Sequence, residues 1–334
     1  MGAVEPPTAE VRRTGTTPEP PPGARLSVCV VTYERPAFLE RCLRALASQR
    51  ETDEVVVVDA SARPQDDLAA AALPAVRYVH APQLAGWMTR SRNEALRWAT
   101  GDLVAFVDDD VVVRPGWATA LRAAFADAAV AAVAGRTCNG LPGEDSYGPP
   151  VGRLLDDGTL TDGFASLTPA PVEVDHGIGA NMTFRRSVLA ELGGFRDDYP
   201  GTALREDTDV FLRVGALGGR VVYEPRAAVD HRPAPHVRGA RFDTRYKLYG
   251  RRNHVVLLAR HAGVSSPVLR RWIGGQLLNT LRAHGVRRRL LRLGVTLAGI
   301  GWGLLALPGA AGLRPTPPRR EDARGRELRA LLGE

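Results

Sequence analysis

The stretch Leu103-Val104-Ala105-Phe106-Val107-Asp108-Asp109-Asp110 sets three carboxylates at the end of an apolar, β-branched run. Such a run reads as a buried strand. Alternation puts Asp108 and Asp110 on one side and Asp109 on the other for as long as the chain stays extended. Carboxylates this close repel one another unless a cation lies between them. Oxygen ligands at the mouth of a parallel sheet suit Mg2+ or Mn2+, which in turn holds phosphates. The plainer alternative is a solvated acidic turn before a helix, with Pro115 near its first turn. A second acidic group, Glu206-Asp207-Thr208-Asp209, opens a helix whose inner face carries Val210, Phe211, Val214 and Leu217. Acidic residues at a helix start are ordinary capping and dipole chemistry. Helical spacing nevertheless puts Asp207 on the apolar side and turns Asp209 well away.

Elements must exist to position these groups. Residues 26–32 read as a first buried strand, followed by a helix from Pro36 that carries Phe38, Leu39, Leu43 and Leu46. Residues 54–59 form a second strand ending in Asp59, and 76–79 a third. Residues 88–99 are helical, with Gly101 as the stop. A helix from Pro115 to about 126 and a strand at 130–134 follow the acidic run. Strands alternating with helices imply βαβ crossovers and a parallel sheet, which binds ligands beyond the carboxyl ends of its strands. Thr32, Tyr33, Glu34, Asp59 and the acidic run all fall at those ends. Residues 137–171 form a long Gly-, Pro- and Asp-rich loop, a length associated with function or mobility. Gly177 and Gly179 either admit backbone to a ligand or permit tight strand packing. Residues 220–223 and the piece ending at Val229-Asp230-His231 read as extended. From Phe242 the chain turns helical, with Arg245, Lys247, Arg251, Arg252 and Arg260 on a basic face. Neither a Gly-x-Gly-x-x-Gly turn nor a Walker lysine loop is present, which argues against a dinucleotide Rossmann enzyme or a P-loop NTPase.

The 334 residues are 44% hydrophobic, enough for a sizeable core, and carry a net charge of +7. The basic excess gathers toward the C-terminus, around Arg287-Arg288-Arg289 and Arg319-Arg320, and suits anionic partners. Cys29, Cys42 and Cys138 match no zinc spacing and imply no disulfide framework, which fits a reducing cytoplasm. Residues 1–24 are Pro-rich without an apolar core, and read as a disordered tail rather than a secretory signal. Residues 293–313 lack charge and approach the ~20 residues that span a bilayer. Their six glycines and Pro308, between basic flanks, favour a buried or membrane-surface helix over a span.

Taken together, the motifs resemble the family-2 glycosyltransferases of the GT-A fold. The likeness runs from about Leu26 to His231. It rests on Val28 to Pro36, Val56-Val57-Val58-Asp59-Ala60-Ser61, Ser91-Arg92-Asn93-Glu94-Ala95-Leu96, Gly101 to Asp110, Gly179-Ala180-Asn181-Met182-Thr183-Phe184-Arg185 with Gly193-Gly194-Phe195, and Glu206-Asp207-Thr208-Asp209-Val210. The resemblance implies an α/β fold: a Rossmann-like, mostly parallel sheet flanked by helices, with a C-terminal helical extension. It divides the chain into a tail (1–24), a catalytic domain (25–240) and a helical extension (241–334). By the same likeness Asp108, Asp110 and His231 hold Mg2+ or Mn2+. Thr32, Tyr33, Glu34, Asp59, Arg92, Asn93 and Asp109 line the donor, with Asp59 at the base. Asn181 and Glu206 face the acceptor, and Asp207 is the general base. Glu34 stands where the family often has Asn, and Ala60 where it commonly has a polar residue.

The activity implied is inverting transfer of a sugar from a nucleotide-diphosphate sugar to an acceptor hydroxyl, on a carbohydrate or lipid-linked acceptor (a glycan or glycolipid) or on a secondary metabolite. The setting is cytoplasmic, at the inner face of the cell membrane where the chain meets a membrane surface, and nucleic acid is not an expected partner. A nucleotidyltransferase would carry a Gly-rich basic loop where Thr32-Tyr33-Glu34-Arg35-Pro36 stands. A non-catalytic binding protein of the same fold would have no need of Asp108, Asp110 and Asp207 together.

Overall fold

The computed structural model describes residues 10–13, 23–146, 150–201, 203–234, 243–282 and 284–309. Its centre is a parallel block of four strands: β2 (Leu26–Thr32), β3 (Glu54–Asp59), β4 (Arg77–His80) and β5 (Leu103–Asp108). The helices α1 (Pro36–Ala47), α2 (Asp66–Ala72) and α3 (Met88–Trp98) connect them. Alternation along each strand feeds two cores. Val28, Val30, Val55, Val57, Ala105 and Val107 pack with α1 on one face of the sheet. Cys29, Val56, Val58, Val104 and Phe106 pack on the other face. Burial on both faces explains why the strands read as continuous apolar runs.

Beyond β5 the sheet becomes mixed. The short β6 (Val111–Val113), α4 (Trp117–Ala124) and β7 (Val130–Cys138) follow in sequence. After a long loop, whose residues 147–149 lie outside the described set, come β8 (Val172–Glu173), β9 (Asn181–Arg185), α5 (Arg186–Leu192), α6 (Glu206–Ala216) and β10 (Arg220–His231). β9 lies antiparallel between β5 and β7, and β10 runs parallel to β7. The two extended pieces expected at 220–231 are one strand, interrupted by an irregularity between Glu224 and Ala228.

Within the segment expected to be a disordered tail, Glu10–Arg13 forms a strand, β1, antiparallel to β4. The edge of β4 offers unpaired backbone groups, and pairing satisfies them whatever the side chains are.

The C-terminal helices are α7 (Thr244–His261), α8 (Pro267–Leu281) and α9 (Val286–Ala306). They share a third core of Val255, Val256, Leu257, Leu258, Leu269, Trp272, Ile300 and Leu307, together with Tyr199. The basic face expected on α7 is only partly solvated. Arg252 and Arg260 are buried, because α7 packs against the segment before α6: Arg252 Nη1 donates to the Asp198 carbonyl at 2.9 Å, and Arg260 pairs with the Asp198 carboxylate. The 24-residue stretch Val286–Gly309 is long and apolar enough to cross a membrane, with an 18-residue window whose mean hydropathy is 1.7. Positions 310–313 of the uncharged stretch lie outside the described residues.

Candidate active site

Strand polarity gathers the candidate groups. β2, β3, β5, β7 and β10 run the same way, so Thr32, Asp59, Asp108, Cys138 and His231 end along one edge. Register then brings Asp110 to His231, because Val111 of β6 pairs with His231 of β10. The Arg232 N–H donates to the Asp110 carbonyl and the Ala234 N–H to Asp110 Oδ2, both at 2.9 Å.

The three aspartates diverge. Asp108 is partly open and accepts from Arg92 Nη2 at 3.1 Å. Desolvation raises its pKa, Arg92 opposes the shift and the Asp110 charge adds to it. Asp109 lies on the α1 face, as alternation predicts. There it accepts from Thr32 Oγ1 at 2.7 Å and Arg35 Nη1 at 3.1 Å, and burial pushes its pKa up to about 7. Asp110 is buried as well, but His231, the Ala234 N–H and Arg35 outweigh desolvation and hold its pKa below the ordinary value.

The residues fit a divalent cation. Asp110 Oδ1 is buried with no hydrogen-bond donor and lies 3.4 Å from His231 Nε2. His231 Nδ1 is 2.8 Å from Asn139 Oδ1. With Nδ1 donating to that oxygen, an unprotonated Nε2 would turn its lone pair toward a carboxylate lone pair. That contact is favourable only with a proton or a cation between the two atoms. Among the described residues no three His, Cys, Asp or Glu side chains are already gathered as a metal site. Mg2+-type sites take one or two carboxylates and complete their shell with water and substrate phosphate.

On the other side of Arg92 from Asp108, α6 begins with Arg205 in the left-handed region at φ +82°. Its acidic residues do not face as helical spacing implies. Glu206 and Asp209 are buried, and Asp207 is half-buried. Glu206 pairs closely with Arg92, and Asp209 meets Arg196 at 2.8 Å and His261 of α7 at 3.0 Å. The packing of α7 encloses the side of α6 that spacing alone leaves outside. Asp207 Oδ2 accepts the Gly179 N–H at 3.0 Å, and Oδ1 accepts the Thr208 N–H at 2.7 Å. Oδ1 also accepts from Thr208 Oγ1 at 3.4 Å, so Oδ2 is the oxygen that keeps a further lone pair. His176 is buried within electrostatic reach of Asp207, and desolvation lowers its pKa.

Several residues assigned to ligands by resemblance are occupied by the fold itself. Arg92 is 1% exposed and joins Glu206, Asp108 and the Gly179 carbonyl rather than lying open along a donor. Asn93 exchanges two 2.8 Å hydrogen bonds with the Phe195 backbone, tying α3 to the segment after α5. Asn181 is fully buried: its amide donates to the Arg136 and Ala227 carbonyls, and its oxygen accepts from Trp117 Nε1. A Cβ on Gly135 would lie 2.2 Å from Asn181 Nδ2, so this glycine makes room for the staple. Asp59 is buried and bonded to the Tyr78 hydroxyl and the Ser61 N–H. Glu34, at φ +56°, accepts the Ala62 N–H at 2.8 Å and links the ends of β2 and β3. Tyr33 is half-buried beside it. Gly177 and Gly179 serve packing: a Cβ would strike Phe211 at 2.4 Å and Arg92 at 2.6 Å respectively.

Arg35 was not singled out from sequence, although it is the basic residue nearest the end of β2. It lies 3.1 Å from Asp109 and 3.7 Å from Asp110.

A mixed sheet flanked by helices, with an acidic run at the end of β5 that Arg92 ties to the acidic start of α6, matches the GT-A class of fold. The comparisons agree. The model of glycosyl transferase family 2 matches residues 27–193. The succinoglycan biosynthesis protein ExoM of Rhizobium meliloti is 32% identical over 229 residues, covering 64% of this chain and 69% of ExoM. The pre-mycofactocin glycosyltransferase of Mycobacterium tuberculosis is 30% identical over 260 residues, covering 75% of this chain. The present chain spans only 52% of that relative. Among solved structures, the mannosyltransferase PcManGT of Pyrobaculum calidifontis, in complex with GDP-Man and Mn2+, superposes with a TM-score of 0.54. That match covers 96% of this chain and 87% of PcManGT at 21% identity. The chain belongs to glycosyl transferase family 2.

Proposed function

We propose that the protein is an inverting, metal-dependent glycosyltransferase using a nucleotide-diphosphate sugar. The observation that carries this reading is the approach of Asp110 Oδ1 to His231 Nε2 on the same edge as Asp108, which Arg92 links to Glu206, the neighbour of Asp207. Asp108, Asp110 and His231 would hold Mg2+ or Mn2+, whose charge neutralises a leaving diphosphate. The solved neighbour with GDP-Man and Mn2+ supports that choice of donor and ion.

Asp207 takes the proton of an acceptor hydroxyl as that oxygen attacks the anomeric carbon. The bond to the diphosphate breaks on the opposite face, so the configuration inverts. Proton transfer of this kind contributes about 10²–10⁴-fold. Arg92 sets the spacing of the two halves, because one guanidinium touches Asp108 below and Glu206 beside Asp207 above. Tyr33 and Glu34, just past the end of β2, remain the donor-side candidates with open surface. The acceptor is a carbohydrate or a lipid-linked carbohydrate, a reading the succinoglycan relative supports. We read residues 25–240 as the catalytic unit and 241–334, helical where it is described, as an extension at work on the cytoplasmic side of the membrane.

Thermal shift against a panel of nucleotide sugars, with Mn2+ and with EDTA, tests the reading, since a bound donor stabilises by mass action. A rise in Tm for one base and sugar that needs the metal is the expected result. A flat panel under both conditions rejects the donor class.

A further inference from the structure

We propose that the outward face of α9, with the end of α8, lies flat on an anionic membrane surface. The face is inverted relative to a soluble helix. The small residues Thr296, Gly299 and Gly303, with Ile300 and Leu307, point inward. A Cβ on Gly303 would meet Val255 Cβ at 2.7 Å, and one on Gly299 would meet Arg251 Cβ at 2.8 Å, so α9 presses close on α7. The bulky residues point out. Val286, Leu290, Leu297 and Leu304 recur at spacings of four and seven on one stripe, joined by Leu291, Trp302 and Leu305. Leu278 and Leu281 extend the apolar surface at the end of α8. Leu305 is 82% exposed, and Leu290 and Leu291 63% each.

Charge selects the occupant. Residues 244–309 hold twelve Arg or Lys and not one Asp or Glu. Arg282, Arg287, Arg288 and Arg292 are exposed beside the leucines at the α8–α9 turn. Leucines ringed by arginines, with no acid among them, match acyl chains beneath anionic headgroups. A spanning pose suits the length of α9 but not its neighbour. It would carry α7 into hydrocarbon with Arg251, Arg252 and Arg260, where charges are strongly disfavoured. The helix therefore rests in the interface. The buried pair of Asp209 with His261 ties this unit to α6, so docking would also fix the orientation of the Asp207 cleft to the surface.

The test is vesicle co-sedimentation of the full chain on phosphatidylcholine, with and without phosphatidylglycerol, at low and high salt. Binding that needs phosphatidylglycerol and weakens with salt is expected. R287Q/R288Q should weaken it roughly 30-fold, and L297N/L305N should weaken it at either salt. Both pairs are exposed, so fold and nucleotide-sugar binding, followed by calorimetry on the same samples, should be unchanged. A carbonate wash should release the bound protein. Absence of binding at low salt, indifference to both variants, or retention through carbonate each overturns the proposal. So does a concentration-dependent dimer that L297N/L305N abolishes while vesicles stay bare, since a second copy would then cover the face. Loss of donor binding in the parent chain would instead count against the donor reading alone.

Discussion

Two regions of this chain handle charge in opposite ways. At the carboxyl edge of the sheet, carboxylates are drawn inside and matched one by one: Asp109 by Thr32 and Arg35, Glu206 by Arg92, Asp209 by Arg196 and His261. In α7–α9 acids are absent, cations ring the outer surface, and the larger apolar side chains of α9 face out. The first region is ordered by internal pairing, and single carboxylate oxygens within it, Asp110 Oδ1, Glu206 Oε2 and Asp209 Oδ2, are left without a hydrogen-bond donor. The second pairs Arg252 and Arg260 with the segment before α6 but leaves Arg287, Arg288 and Arg292 exposed to solvent. A buried charge without a partner is far costlier than an exposed one, so substitutions should have large effects in the first region and small ones in the second.

The largest effect is expected at Asp110. Asp110→Ala should abolish the Mn2+-dependent part of donor affinity, and equal calorimetric binding with and without EDTA in the parent protein would break the metal reading. Next is Asp207→Asn, which should cut turnover by ~10²-fold or more while donor affinity holds. Asn retains one acceptor oxygen for two backbone N–H donors, so a stability loss of about 1 kcal/mol should accompany it. Near-normal turnover would move the search for the base to other residues at the start of α6.

Arg92→Met removes the hydrogen-bond partner of buried Glu206 and of the Gly179 carbonyl and should cost about 1–3 kcal/mol in chemical denaturation. Arg287→Met, on the open face, should stay within about 0.5 kcal/mol. Similar losses at the two positions would erase the contrast between the regions.

A gentler probe is pH. Burial, with Asp207 nearby, pushes the Glu206 pKa up to about 8 against the pull of Arg92. The folded state then keeps a proton that the unfolded chain releases above about pH 4.5, so stability is present at low pH and is lost as pH rises through about 8. The slope should approach about 1.4 kcal/mol per pH unit, and Glu206→Gln should flatten it. Asp209 is shifted the other way by Arg196 and His261, so its contribution is lost only as pH falls below the usual carboxylate range. The smallest effect is expected at Leu305→Asn, within about 0.5 kcal/mol, against about 2–5 kcal/mol for Leu257→Ala in the third core.

What could be read from the sequence follows the same division. Local periodicity carried the strands: 26–32, 54–59 and the start of the acidic run appear where hydrophobic alternation puts them, and Asp108 and Asp109 take opposite faces for that reason. The antiparallel β9 was not legible, because pairing direction is decided by partners far along the chain. The same holds for Asn181 and Asn93. A motif marks them as fixed in type, yet only the fold shows that their amides go to backbone groups of β7, β10 and the segment after α5. At α6 the helical wheel turned Asp209 outward because it could not include α7, which arrives some fifty residues later and buries it.

Helix α6 is held from two directions. Arg92 of α3 grips one side of its first turn, and His261 of α7 reaches the other. Asn253 of α7 also donates to the Pro200 and Leu204 carbonyls, just ahead of that turn. The family match ends at 193, before any of these latter contacts. Grafting the C-terminal helices of one relative onto the sheet of another would therefore not be a modular exchange. Unless Asn253 and His261 travelled together with 198–209, the graft would leave the proposed base on a helix anchored at one side only.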